Sequence, residues 1–109
     1  MLVRFTHEAR LEFRAMPPPE REAMRNAIGK LEQAGENLAY PHSSHVRGVA
    51  NLRELRPRAG RSPWRAFYRR IGAEIVIGAF GPEAKADPTG FKRAVRAAAE
   101  RLDVLDAEA

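Results

Sequence analysis

A single carboxylate set among arginines is the feature of this sequence with the clearest chemical use. From Val46 to Arg70 the chain reads VRGVANLRELRPRAGRSPWRAFYRR, eight arginines against one acid, Glu54. This stretch carries a net charge of +7, while residues 1–45 balance to zero and residues 71–109 sum to −2. Arginine makes permanently charged, bidentate contacts to phosphate oxygens. A carboxylate in the same cluster adds a proton acceptor. Metal-free cleavage of RNA needs a base for the ribose 2′-OH, positive donors for the phosphorane, and an acid for the leaving 5′-oxygen. Glu54 is the candidate base, and Arg56 and Arg65 the candidate charge donors. Lys85, just beyond the next apolar segment, is the candidate acid, with Tyr68 as a second possibility. Arg65 is expected to be exposed, so that its loss would remove activity without unfolding the protein. Arg53, Arg58, Arg61, Tyr68, Arg69 and Lys92 are candidate contacts to nucleic acid or ribosome. Trp64, Phe67 and Tyr68 are of a type that stacks on unpaired bases, and equally of a type that fills a core.

Strands must hold this stretch. Asn51–Arg58 and Trp64–Arg70 flank a Gly60-Arg61-Ser62-Pro63 turn and read as antiparallel neighbours. Glu74–Phe80, EIVIGAF, is the third strand of this group, entered at Gly72 and ended by Gly81-Pro82. On the first strand Leu52, Glu54 and Arg56 share one face and Arg53 and Leu55 the other. On the second, Trp64, Ala66 and Tyr68 oppose Arg65, Phe67 and Arg69. Neither strand separates cleanly into an apolar and a charged face.

Helices frame the strands. After a short strand at Leu2–Phe5, Thr6 caps a helix whose stripe is Ala9, Phe13 and Met16, stopped by Pro17-Pro18-Pro19. A second helix starts at Pro19 or Glu20, buries Met24, Ala27, Ile28 and Leu31, and ends at Gly35. Residues 36–48 read as a connection. Its His42 and His45 lack a third ligand, so no metal site is expected. Asp87-Pro88 opens a final helix with Phe91, Val95, Ala98, Leu102 and Leu105 on one stripe and a fraying tail from Asp106. The order is β-α-α-β-β-β-α. It describes an α+β fold: a mostly antiparallel sheet of about four strands, covered on one face by an N-terminal helical hairpin and a C-terminal helix.

Bulk properties narrow the partners. At 109 residues the chain is expected to be a single domain spanning 1–109. It has no cysteine, which removes disulfides, thiolate metal sites and cysteine nucleophiles. Without a long apolar run or a signal-peptide core it reads as a soluble cytoplasmic protein. A pI near 10.4 favours a polyanionic partner. Sixteen arginines against three lysines follow a GC-rich coding bias, which does not account for the clustering. No cofactor is expected.

Taken in order, NLRELR, WRAFYRR and EIVIGAFGPEAK, followed by a helix, resemble the RelE/ParE toxin superfamily, in its HigB-like, phage-derived Gp49-like branch. The matching residues are Leu52, Glu54, Leu55 and Arg56; Trp64, Arg65 and Tyr68; and Phe80 and Lys85. Members usually carry two lysines directly after the phenylalanine, whereas here Gly81-Pro82-Glu83-Ala84 precedes one. The resemblance implies the toxin of a type II toxin–antitoxin pair, a ribosome-dependent mRNA endoribonuclease neutralised by an antitoxin, expected to be of helix-turn-helix type. It places Glu54, Arg56, Arg65 and Lys85 in the active cleft. Two alternatives stay open: a ParE-like inhibitor of DNA gyrase, and a catalytically degenerate member that only binds RNA or protein.

Overall fold

The computed structural model describes all residues, 1–109. Its elements are β1 (Leu2–Phe5), α1 (His7–Ala15), α2 (Pro18–Ala34), β2 (Ser43–His45), β3 (Arg53–Leu55), β4 (Trp64–Ile71), β5 (Glu74–Pro82) and α3 (Pro88–Glu108), with a 3-10 turn at Gly35–Asn37 and a tight turn through left-handed residues at Pro57–Gly60. The five strands lie in the order β1-β5-β4-β3-β2. β1 runs parallel to β5, and every other pairing is antiparallel. The α+β architecture and helix order are those expected from the sequence. The sheet has one strand more.

Local chemistry accounts for the boundaries. The Thr6 side chain accepts the Ala9 N–H at the start of α1, and the Asp87 side chain accepts the Gly90 N–H at the start of α3. Gly35 ends α2 at a positive φ of 57°. The first strand of the basic stretch is shorter than the sequence suggests. Pro57 has no N–H to continue the ladder, so β3 stops at Leu55 and the chain turns. The extra strand, β2, pairs Ser43, Ser44 and His45 with Leu55, Glu54 and Arg53. The tail expected to fray instead continues α3 to Glu108.

The helices lie on both faces of the sheet, not one. Leu55, Ala66, Tyr68, Ile75, Ile77 and Phe80 pack with Ala9, Met16, Met24, Ala27 and Leu31 of the hairpin. Leu52, Phe67, Val76 and Ala79 pack with Val95, Ala98 and Leu102 of α3. The reason is that β5 is apolar at nearly every position and buried from Ile75 to Gly81, a pattern that requires cover on both sides. Close approach makes this possible. A Cβ on Gly78 would sit 2.8 Å from the Leu102 side chain.

Candidate active site and nucleic-acid interface

Glu54 stands at the middle of β3, opposite Phe67 of β4 and Ser44 of β2. Its Oε1 accepts a hydrogen bond from Nη1 of Arg56 at 3.0 Å and lies 3.6 Å from Nε of Arg65. Both arginines approach the same oxygen, leaving Oε2 outside these contacts. Arg56 follows the last residue of β3 and is held on three sides. Its Nε donates to the Pro41 carbonyl at 3.1 Å, and its guanidinium carbon lies 5.1 Å from the centre of the Tyr40 ring. On the third side is Gly60, at a φ of 92°, where a Cβ would lie 2.5 Å from Arg56 Nη2. A side chain there would displace the guanidinium. The same turn holds Arg58 and Ala59 at φ of 54° and 55°, left-handed conformations that non-glycine residues adopt at a cost of about 1–2 kcal/mol each.

Arg65 lies behind Glu54. Its Nη1 donates to the carbonyls of Ser62 at 2.6 Å and Trp64 at 3.0 Å; its Nη2 donates to the Gly60 carbonyl at 3.2 Å and to Glu83 Oε2 at 3.0 Å. The residue is 2% exposed. Burial pushes its guanidinium pKa down, and the like charge of Arg56 adds to this, while Glu54 and Glu83 oppose it. The group stays cationic. The expectation of an exposed Arg65 is thus corrected: two carboxylates and three carbonyls draw it under the surface. It positions Glu54 and the 60–64 turn, and Arg56 is the guanidinium nearer solvent.

Other residues named from the sequence fall into two groups. Tyr68 is buried, with its hydroxyl against Ser43 Oγ. Its ring therefore offers no exposed face for a base, and its hydroxyl is turned to Ser43, away from solvent. Its face of β4 is the one under the helical hairpin. Arg69 is also buried, donating to the Asn51 carbonyl at 2.9 Å and to Asp103 and Asp106 of α3 at 2.7 and 3.3 Å. It ties β4 to α3 and is not a rim contact. Arg53 is half-buried, with Nε on Ser43 Oγ at 3.0 Å. Arg58, Arg61, Lys85 and Lys92 are exposed. Arg58 is anchored by Glu20, whose Oε1 and Oε2 each lie 3.0 Å from its Nη1. Glu20 also accepts from the Ser62 hydroxyl at 2.7 Å. That hydroxyl, foremost, and then Arg58 hold the Glu20 carboxyl below its ordinary pKa against the opposing effect of burial. Lys85 lies in the exposed segment between β5 and α3, outside the Glu54 contacts.

Three participants escaped the sequence reading. Glu83 is the second acid on Arg65, Tyr40 lies against Arg56, and Glu20 fixes the Pro57–Gly60 turn from α2. Glu83 was visible as the acid interrupting the expected lysine pair. Tyr40 and Glu20 gave no local signal, because folding alone brings them to the basic stretch. No three His, Asp or Glu side chains are grouped to hold a metal ion, and no helix is long and apolar enough to cross a membrane.

Residues 11–80 match the family described as Phage derived protein Gp49-like (DUF891). No curated protein matches the sequence. Among solved structures, the fold is similar to a RelBE toxin–antitoxin complex from Mycobacterium tuberculosis, at 25% identity and a TM-score of 0.56, over 75% of this chain and 96% of that one. It is similar to a mutant of the E. coli toxin RelE in the free state, at 18% identity and a TM-score of 0.61, over 87% of this chain and 94% of that one. It is also similar to the chromosomal ParDE toxin–antitoxin system from P. aeruginosa, at 19% identity and a TM-score of 0.53, over 75% and 95%.

Proposed function

The chain belongs to the Gp49-like family and has the RelE/ParE toxin fold, and from that premise we propose that it is the toxin of a type II toxin–antitoxin pair, a ribosome-dependent endoribonuclease acting on mRNA in the cytoplasm. The observation that carries this reading is the placement of Glu54 Oε1 between Arg56 at 3.0 Å and Arg65 at 3.6 Å. A carboxylate so held keeps its second oxygen for a proton, and the exposed side of Arg56 faces the position where negative charge develops. Glu54 takes the proton of a ribose 2′-OH, and the freed 2′-oxygen attacks the adjacent phosphorus. The P–O5′ bond then breaks, leaving a 2′,3′-cyclic phosphate, and the 5′-oxygen gains a proton. Arg56 stabilises the phosphorane. Lys85, exposed in the segment after β5, is the candidate donor of that last proton. Arg65 acts through Glu54.

The exposed cations Arg58, Arg61 and Lys92 serve as contacts to RNA and ribosome, and a cognate antitoxin, proposed to be of helix-turn-helix type, covers the same basic surface. Similarity to RelBE complexes supports the antitoxin as partner.

The test is a purified translation system with a defined mRNA. The reading expects cleavage of ribosome-bound mRNA, none of free RNA, and none by Glu54→Gln. Intact mRNA together with inhibition of gyrase supercoiling would transfer the protein to the ParE-like reading. Neither effect would leave a binding member of the fold.

A further inference from the structure

A cleft of about 180 Å³ opens next to the Glu54 site, between the middle of α2 and the turn that follows β3. Small side chains make it. Ala23 and Ala27, one turn apart on α2, form its floor with Leu55, and all three are buried. Asn26 and Lys30 project from the same stripe of α2, and His42, Arg56 and Arg58 line the opposite wall. No carboxylate lines it. Arg56 and Arg58 have their acids, Glu54 and Glu20, outside the cleft. Lys30 is exposed and makes no ion pair. His42 is fixed by backbone bonds: its carbonyl accepts the Arg56 N–H at 2.8 Å, and its own N–H donates to Ala39 at 2.9 Å.

The size and the lining limit the ligand. Pockets that enclose a whole drug-sized molecule measure about 300–1,000 Å³, so this cleft takes a group and not a molecule. Three cations and no carboxylate line the cleft, which favours an anion. Arg58 is already bonded to Glu20 and the Pro19 carbonyl, so the Lys30 ammonium and Nη2 of Arg56 are the donors left for phosphate oxygens. Arg56 forms one wall of the cleft while it holds Glu54 on its other side. A phosphate here is therefore one guanidinium away from the proposed base.

We infer that this cleft seats one backbone phosphate of the RNA chain beside the cleavage point, with Lys30 and His42 as phosphate contacts in addition to Arg56. The inference rests on the RNA-cleaving reading and deepens it, since it gives the site a register along the strand.

The experiment uses the full chain and two probes. One is a short single-stranded oligodeoxyribonucleotide, which lacks the 2′-OH and is not cleaved; the other is inorganic phosphate. Binding is followed by the side-chain NMR resonances of His42 and by affinity as a function of salt. The oligonucleotide is expected to shift the His42 ring resonances. Lys30→Ala, at an exposed position that leaves the fold intact, is expected to weaken the oligonucleotide about tenfold and to reduce the slope of log affinity against log salt by about 0.7, the share of one single-strand phosphate contact. His42→Gln is expected to weaken it as well. Oligonucleotide binding with unmoved His42 resonances and an unchanged Lys30→Ala affinity would overturn the inference. Phosphate shifting His42 when the oligonucleotide does not would also overturn it, assigning the cleft to a free anion. Oligonucleotide binding here without ribosome-dependent cleavage would keep the cleft as a phosphate seat but overturn its place beside a cleavage point together with the nuclease reading, so the two fail distinguishably.

Discussion

The Nε of Arg65 lies 3.6 Å from Oε1 of Glu54, buried and without a hydrogen-bond partner. The pair is close enough for charge to matter and too long for a hydrogen bond. Arg65 spends its other donors on carbonyls of the 60–64 turn and on Glu83. Glu54 therefore feels a fixed positive charge while its hydrogen bond comes from Arg56. The consequence is a division of labour: Arg56 belongs to the chemistry and Arg65 to the frame.

Replacement of the base is the first test of that division. Glu54→Gln keeps the shape of β3 and removes the proton acceptor. Cleavage of ribosome-bound mRNA is expected to fall by about 10²–10⁴, the usual contribution of a positioned general base. The circular dichroism spectrum is expected to stay that of the native fold. Cleavage within tenfold of the native rate would remove Glu54 as the base.

The two arginines should separate by stability. Arg65→Ala leaves Glu83, 27% exposed, and three carbonyls without their cation. Removing the buried member of such a pair costs about 3 kcal/mol, the low end of the buried-pair range, because Glu83 keeps contact with water. With each kcal/mol worth roughly 4–8 °C in a domain of this size, thermal unfolding should register a fall on the order of 12 °C or more. Arg56→Ala, at a more exposed position, is expected to cost about 1 kcal/mol and to lose cleavage. Equal melting temperatures for the two variants would contradict the assignment.

Tyr68 supplies a negative control. Tyr68→Phe removes only the hydroxyl that meets Ser43 Oγ, which keeps its bond from Arg53. Stability is expected to fall by about 1 kcal/mol, read by chemical denaturation, with mRNA cleavage unchanged. A Tyr68→Phe enzyme that folds and does not cleave would return the phenol to the chemistry.

Acid should act through Glu20. The Ser62 hydroxyl and Arg58 hold its folded-state pKa below the ordinary 4.5. The folded form therefore binds fewer protons than the unfolded form in this range, and stability falls as pH drops. The contribution is complete above pH 4.5 and is lost as pH falls through the lowered value. Glu20→Gln is expected to be less stable than the native chain near neutrality and to lose this part of the acid sensitivity. Unfolding curves with the same pH slope in both proteins would contradict it.

Much of this architecture could be read from the sequence, and the exceptions have physical causes. The stripe Phe91, Val95, Ala98, Leu102 identified α3, because one helical face carries most of its burial. Thr6, Asp87 and Gly35 marked helix ends through chemistry confined to a few residues. β2 was hidden because Ser43-Ser44-His45 has no apolar alternation, and its existence depends on pairing with β3. The burial of Arg65 and Arg69 was hidden for a similar reason. Arginine in a strand reads as surface until its acids are known, and Glu83, Asp103 and Asp106 lie 18 to 37 positions away in the chain. The sequence therefore located the basic cluster around Glu54, whereas the folded chain ranks its members.

The most direct test of the central claim is primer extension on cellular mRNA after brief induction, comparing the native protein with Glu54→Gln. The account predicts new 5′ ends inside codons of translated messages with the native protein, and none with the folded Glu54→Gln variant. Growth arrest with uncut messages, or the same cuts from Glu54→Gln, would contradict it.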